Sequence, residues 1–184
     1  MTGIDPAEAA TALSDIDSIV RRVRQSRIYH LASLMMIMWG VLVFAGNIAA
    51  FFWPRAAGYI WIGVDAAGIA GSFAISAFNY PRTGVRTFDS RMLAAFLLFL
   101  AFGIFCSVLG HFGPRQLGAF WPIYFMLVYT IAGLWIGHAF VAIGLGITTL
   151  TLIGYFFIGD WFEPWMAVVN GGGLVLGGLW MRRS

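Results

Sequence analysis

One acid stands inside an otherwise apolar run, Ile62-Gly63-Val64-Asp65-Ala66-Ala67-Gly68. If that run crosses a membrane, its carboxylate costs several kcal/mol unless it is paired, hydrated or protonated, so Asp65 is the first candidate for a ligand or proton site. Two amides have matching depth: Asn47 lies six residues before Trp53, and Asn170 six residues after Pro164. Asn47, Asp65 and Asn170 could therefore share a polar pocket open to one face, with Arg55 or Arg115 near its mouth. Two other roles for Asp65 stay open: a hydrogen-bonding glue between helices, to Asn47 or backbone, and a contact with lipid headgroups.

The remaining reactive side chains do not assemble into a catalytic set. His30 and His138 belong to one face of the membrane and His111 to the other, about 30 Å away, so each reads as an interfacial polar tip. Cys106, the single cysteine, has no partner for a disulfide or a thiolate metal site. The chain carries no phosphate-binding glycine loop, H-E-x-x-H or G-x-S-x-G motif. The reading is therefore non-enzymatic, with no metal and no cofactor assigned.

Composition fixes the setting for these residues. The 184 residues are 60% hydrophobic and only 10% charged, with a mean hydropathy of +0.84. A soluble domain averages about 25% charged residues, so this chain could not cover its own surface in water. That excludes a soluble enzyme, a disordered tail and a disulfide scaffold, and nothing suggests nucleic-acid binding. Six stretches are long enough to span a bilayer: 28–53, 57–79, 92–111, 117–137, 139–158 and 164–181. Their breaks carry turn residues: Trp53-Pro54-Arg55, Asn79 to Gly84 followed by Arg86, Asp89 and Arg91, His111 to Arg115, and Gly159 to Pro164. A turn near Gly137-His138 is required by length, since one helix over 117–158 would run about 60 Å, twice the hydrocarbon thickness.

Nine of the eleven arginines fall on the N-terminal side of such a six-span arrangement, leaving only Arg55 and Arg115 opposite, so both termini are expected in the cytoplasm. Arginine without any lysine hints at a GC-rich bacterial genome and hence a bacterial inner membrane. Residues 1–27 differ in kind from 28–184. Asp5-Pro6-Ala7-Glu8 reads as a helix start, and Leu13, Ile16, Val20 and Val23 share a face, which predicts an amphipathic cytoplasmic arm that lies on lipid or docks a protein.

A short motif recurs with a 60-residue offset: Pro54-Arg55-x-x-Gly58-x-x-Trp61 and Pro114-Arg115-x-x-Gly118-x-x-Trp121. A third outer turn keeps Pro164 and Trp165 without the arginine. Proline suits a first helical turn, where its missing N–H has no intrahelical partner. The pattern predicts an all-α polytopic fold of six transmembrane helices in three serial hairpins, held by small residues four apart such as Gly133 and Gly137, or Gly173 and Gly177. Trp39, near mid-membrane, is expected between helices. Two functions follow as expectations: an accessory, sensory or assembly factor acting through a cytoplasmic or membrane partner, or a small transporter or channel using the Asp65 pocket. Neither the partner nor the oligomeric state is legible.

Overall fold

The structure, a computed structural model, describes residues 6–83 and 90–183, without the side chains of 6–14, 17–28, 80–83, 90 and 92. Asp5 and residues 84–89, with Arg86 and Asp89, lie outside the described residues, while Asn79 to Thr83, expected to form a turn, continue α2. Among the described residues the protein is all helical: α1 (Pro6–Phe52), α2 (Ala57–Thr83), α3 (Ser90–Leu109), α4 (Pro114–Ile136), α5 (His138–Phe157), α6 (Phe162–Met166) and α7 (Gly173–Met181). A 3-10 turn, Pro54–Ala56, precedes α2, and a π-helical segment, Ala167–Gly172, joins α6 to α7.

Four stretches are long and apolar enough to cross a membrane by themselves: Tyr29–Phe52, Pro54–Asn79, Pro114–Ile136 and His138–Phe157. The other two expected spans fall short for different reasons. In α3 the apolar stretch is Leu93–Leu109, and the C-terminal one is divided among α6, the π segment and α7. α1 runs without a break across residue 27, so the N-terminal arm and the first apolar stretch form one helix.

The turn demanded near residue 137 is a single glycine. Gly137 has φ 154°, a conformation that side chains with a Cβ rarely adopt, and it reverses α4 into α5. The two helices then lie antiparallel and close: a Cβ on Gly133 would meet the Val141 N at 2.6 Å, and one on Gly144 would meet the Met126 O at 2.9 Å.

α1 is the hub, with two separate contact faces. One lies along the C-terminal segment in antiparallel register. A Cβ on Gly40 would stand 2.7 Å from the Gly171 O, Gly178 sits against Ile37, and the Ser33 hydroxyl donates to the Gly178 carbonyl at 2.6 Å. At the other end Phe51 stacks on Trp161 with centroids 5.7 Å apart. The start of the apolar part of α1 and the end of α7 therefore share one end of the bundle. The second face receives α2: Gly68 lies under the Trp39 ring, whose Nε1 donates to the Ser72 hydroxyl at 3.1 Å. Trp39 thus packs between helices, as its depth in the sequence implies.

The interior lies among α1, α4, α5 and the C-terminal segment, where Met36, Met126, Ile143, Ile147, Val169 and Leu174 are buried. α2 and α3 stand at the periphery. Their outer faces expose Ile62, Phe73, Leu98 and Phe102, each more than half accessible, a surface suited to lipid contact.

Candidate functional site

The three residues expected to share a pocket divide between two environments. Asn47 and Asn170 are both 7% exposed and turned into the bundle. Asn47 sits on the face of α1 that meets the C-terminal segment, and its Nδ2 donates to the Val43 carbonyl at 2.8 Å. Asn170 belongs to the π segment, beside Gly171, which abuts Phe44 of α1. A π turn inserts an extra residue and displaces the local backbone hydrogen bonds, and such segments recur at functional positions.

α5 brings a third polar side chain to this level. Gly173 faces Ile147, and Gly154 lies beneath the Trp165 indole, so the α5 residues between 147 and 154 oppose the π segment. Thr151, in that interval, is wholly buried, and its hydroxyl has no hydrogen-bond partner. No sequence motif singles out Thr151, although Thr148-Thr149-Leu150-Thr151 is an unusual polar interruption of an apolar helix. Asn47, Thr151 and Asn170 thus form a polar level inside the bundle, built from α1, α5 and the π segment.

Asp65 is elsewhere. α2 turns Trp61, Val64, Gly68 and Gly71 toward α1, which leaves Asp65 exposed beside that seam. No described residue hydrogen-bonds or ion-pairs with its carboxylate, and neither Asn47 nor Asn170 reaches it. At 100° per residue, Ser72, Ser76 and Asn79 follow Asp65 within about 60° of arc, so a polar line about 21 Å long runs down the edge of α2. Ser72 hydrogen-bonds the Gly68 carbonyl at 2.8 Å, and Asn79 the Ile75 carbonyl at 2.9 Å. Exposed Ile62, Ile69 and Phe73 lie alongside. The signal was available in the sequence as a seven-, four- and three-residue spacing, which a helix places on one edge.

The repeated motif splits by residue. Pro54 and Pro114 each open a helical turn. Trp61 and Trp121 each fold back over a glycine of the preceding helix, Gly46 and Gly103 respectively. The arginines diverge. Arg115 donates to the Tyr155, Ile158 and Gly159 carbonyls at 2.8, 2.6 and 3.2 Å, and its guanidinium lies over the Phe162 ring at 5.2 Å. It therefore caps α5, where the last carbonyls of a helix lack partners and favour a cation. Arg55 is exposed on its 3-10 turn and makes no contact of this kind with the described residues.

His30 and His138 sit at the end marked by the Tyr29–Phe140 ring contact, and His111 at the opposite one, in the α3–α4 turn. Among the described residues, no three of His, Cys, Asp and Glu converge to hold a metal ion. Comparison with known protein families, with curated proteins and with solved structures finds no match, so the chemistry of these sites rests on the residues themselves.

Proposed function

We propose that the protein is a non-enzymatic integral membrane protein of a bacterial inner membrane, acting as an accessory, sensory or assembly factor by binding a partner within the bilayer. The observation that carries this reading is Asp65, exposed at the head of a half-buried polar line on α2. Hydrocarbon tails offer Asp65 no hydrogen bond, so an acid on an outer helix face is costly in lipid alone and is relieved by a second protein surface. The flanking Ile62, Ile69 and Phe73 provide apolar area for such a surface.

In this reading the chain crosses the bilayer six times as three hairpins, with both termini cytoplasmic. Support comes from the arginine distribution and from the antiparallel packing of consecutive segments. The 20 residues from Phe162 to Met181 also supply about 30 Å of rise, enough for a crossing despite the π segment. Reporter fusions after residue 85 and after Ser184 should mark the cytoplasm, and one after Asp160 the opposite side; a C-terminus found outside overturns the six-crossing plan.

The partner reading is tested by photo-crosslinking in native membranes. A crosslinking residue at Ile69 should trap a discrete protein adduct, while one at Phe102 on the outer face of α3 should give lipid adducts alone. Lipid adducts alone at Ile69 would refute docking at α2. The arm of residues 1–27 is a second proposed contact, for a cytoplasmic protein; removal of residues 1–24 should then preserve insertion and lose that partner.

The buried level of Asn47, Thr151 and Asn170 favours a second reading, a small transporter or channel. Its specific support is the unpartnered Thr151 hydroxyl, a free oxygen ligand in the interior. Flux through proteoliposomes that is abolished by Thr151→Val would establish it over the first.

A further inference from the structure

The exposed Asp65 on the edge of α2 also specifies the chemistry of what covers it. Asp65 lies eight residues into α2, about 12 Å along its axis from Ala57. An aspartate side chain is too short to carry its carboxylate to an interface from that depth, unlike the long stems of lysine and arginine. Among the described residues no cation pairs with the Asp65 carboxylate. Arg55 precedes Asp65 by ten residues, about 15 Å of helix, and Arg115 is committed to the carbonyls ending α5. A second copy docked on the same edge about a two-fold axis normal to the membrane would set carboxylate against carboxylate, which is repulsive in a medium of low dielectric.

Resting on the reading of α2 as a docking flank, we propose that the occupant is a partner's membrane helix carrying one arginine or lysine at the depth of Asp65. The pair neutralises two charges that are each expensive alone in hydrocarbon. Below it, the Ser76 hydroxyl lies on the same edge and can meet a polar side chain of that helix. Recognition by a buried acid–base pair also sets depth and register, because sliding by one helical turn separates the charges by about 5.4 Å. The partner's basic residue would need α2 as much as Asp65 needs its cation, so each helix discriminates against uncharged neighbours.

The test uses the full-length protein, fluorescently labelled, in phosphatidylcholine vesicles. The probe is a synthetic helix of about 23 leucine and alanine residues with a single arginine at its midpoint, so that either insertion direction brings the cation near the depth of Asp65. A second probe carries leucine there. Energy transfer should report binding of the arginine probe roughly five- to thirtyfold tighter than the leucine probe, the range for one polar interhelical contact. Asp65→Leu should abolish that preference while keeping the wild-type melting temperature, since no hydrogen bond or ion pair to a described residue holds the carboxylate. Equal binding of the two probes, binding of neither, or a preference that survives Asp65→Leu would overturn the cationic partner. Self-association that excess arginine probe does not disturb would assign the edge to a second copy instead. Any of these results leaves docking at α2 to be judged separately by crosslinking from Ile69, so the two ideas fail independently.

Discussion

The close approach of α1 to the π segment makes a quantitative prediction at Gly171. A methyl group there would lie 2.6 Å from the N and Cβ of Phe44 and 2.7 Å from its Cα. Ordinary carbon contacts sit at about 3.5–4.0 Å, so Gly171→Ala forces α1 and the π segment apart by roughly 1 Å. No side chain can swing away, because the obstructing atoms include Phe44 backbone. Overpacking of this kind costs about 1–3 kcal/mol, and the wider gap also weakens contacts along the rest of the seam. The adjacent Gly172 is the internal control, because a Cβ there meets nothing within 4 Å. Both substitutions gain about 0.5–1 kcal/mol by restricting the unfolded backbone, so the difference between them isolates packing. Unfolding in mixed detergent, followed by tryptophan fluorescence, should place Gly171→Ala about 1–3 kcal/mol below Gly172→Ala. Equal stability of the two variants would refute the close approach of the π segment to α1.

The two arginines of the repeat should behave differently: Arg115→Ala lowers the melting temperature by an amount equivalent to about 1 kcal/mol, modest because the side chain is exposed, while Arg55→Ala stays within about 0.5 kcal/mol of wild type. A matching loss at both positions would show that Arg115 does not cap α5. Thr151→Val removes a buried hydroxyl without changing volume much, so stability should rise by about 1 kcal/mol; a fall would mean that the hydroxyl is bonded in the bilayer. Gly137→Ala places a Cβ in a positive-φ turn and should cost about 1–3 kcal/mol, read as a lower unfolding midpoint with α5 secondary structure unchanged by circular dichroism.

What the sequence reveals depends on whether a feature is set by length or by azimuth. The Gly137 turn is legible because a 42-residue helix does not fit a bilayer, and the mid-membrane depth of Trp39 implies a partner that turns out to be Ser72. Asp65 has a legible depth and an illegible direction. α2 offers two stripes of small or apolar residues, Gly63-Ala67-Ala70-Ala74 and Val64-Gly68-Gly71-Ile75, and only packing selects the second for α1. Had the first been chosen, Asp65 would have turned to a different neighbour. The repeat fails in a similar way. Trp61 and Trp121 act locally, each on the helix just before it, so identical residues do identical work. Arg115 acts on carbonyls forty or more residues away, and nothing in the motif says that Arg55 lacks such an acceptor. Thr151 is illegible as a site because a helical threonine ordinarily bonds its own i−4 carbonyl, as Thr130 does to Met126, whereas the Thr151 hydroxyl has no partner.

The contrast between the two faces of α1 indicates where specificity can reside. Toward the C-terminal segment, Gly40, Gly171 and Gly178 bring backbone against backbone, and a misplacement of 1 Å is penalised at once. Such a seam is fixed and has little freedom to respond to anything that binds. Toward α2 the seam is narrower: Gly68 and Gly71 meet the far ends of Trp39 and Met38, side chains that can rotate, and the polar edge from Asp65 to Asn79 runs along its margin. A partner helix laid on that margin would touch both α2 and the flank of α1, and so could change how α2 sits without disturbing the interior. If the protein responds to its partner, the response should appear first at the Trp39–Ser72 hydrogen bond, as a change in indole fluorescence that Ser72→Ala removes. A partner that binds α2 and leaves that signal unchanged would mean that docking is purely additive and that α1 transmits nothing.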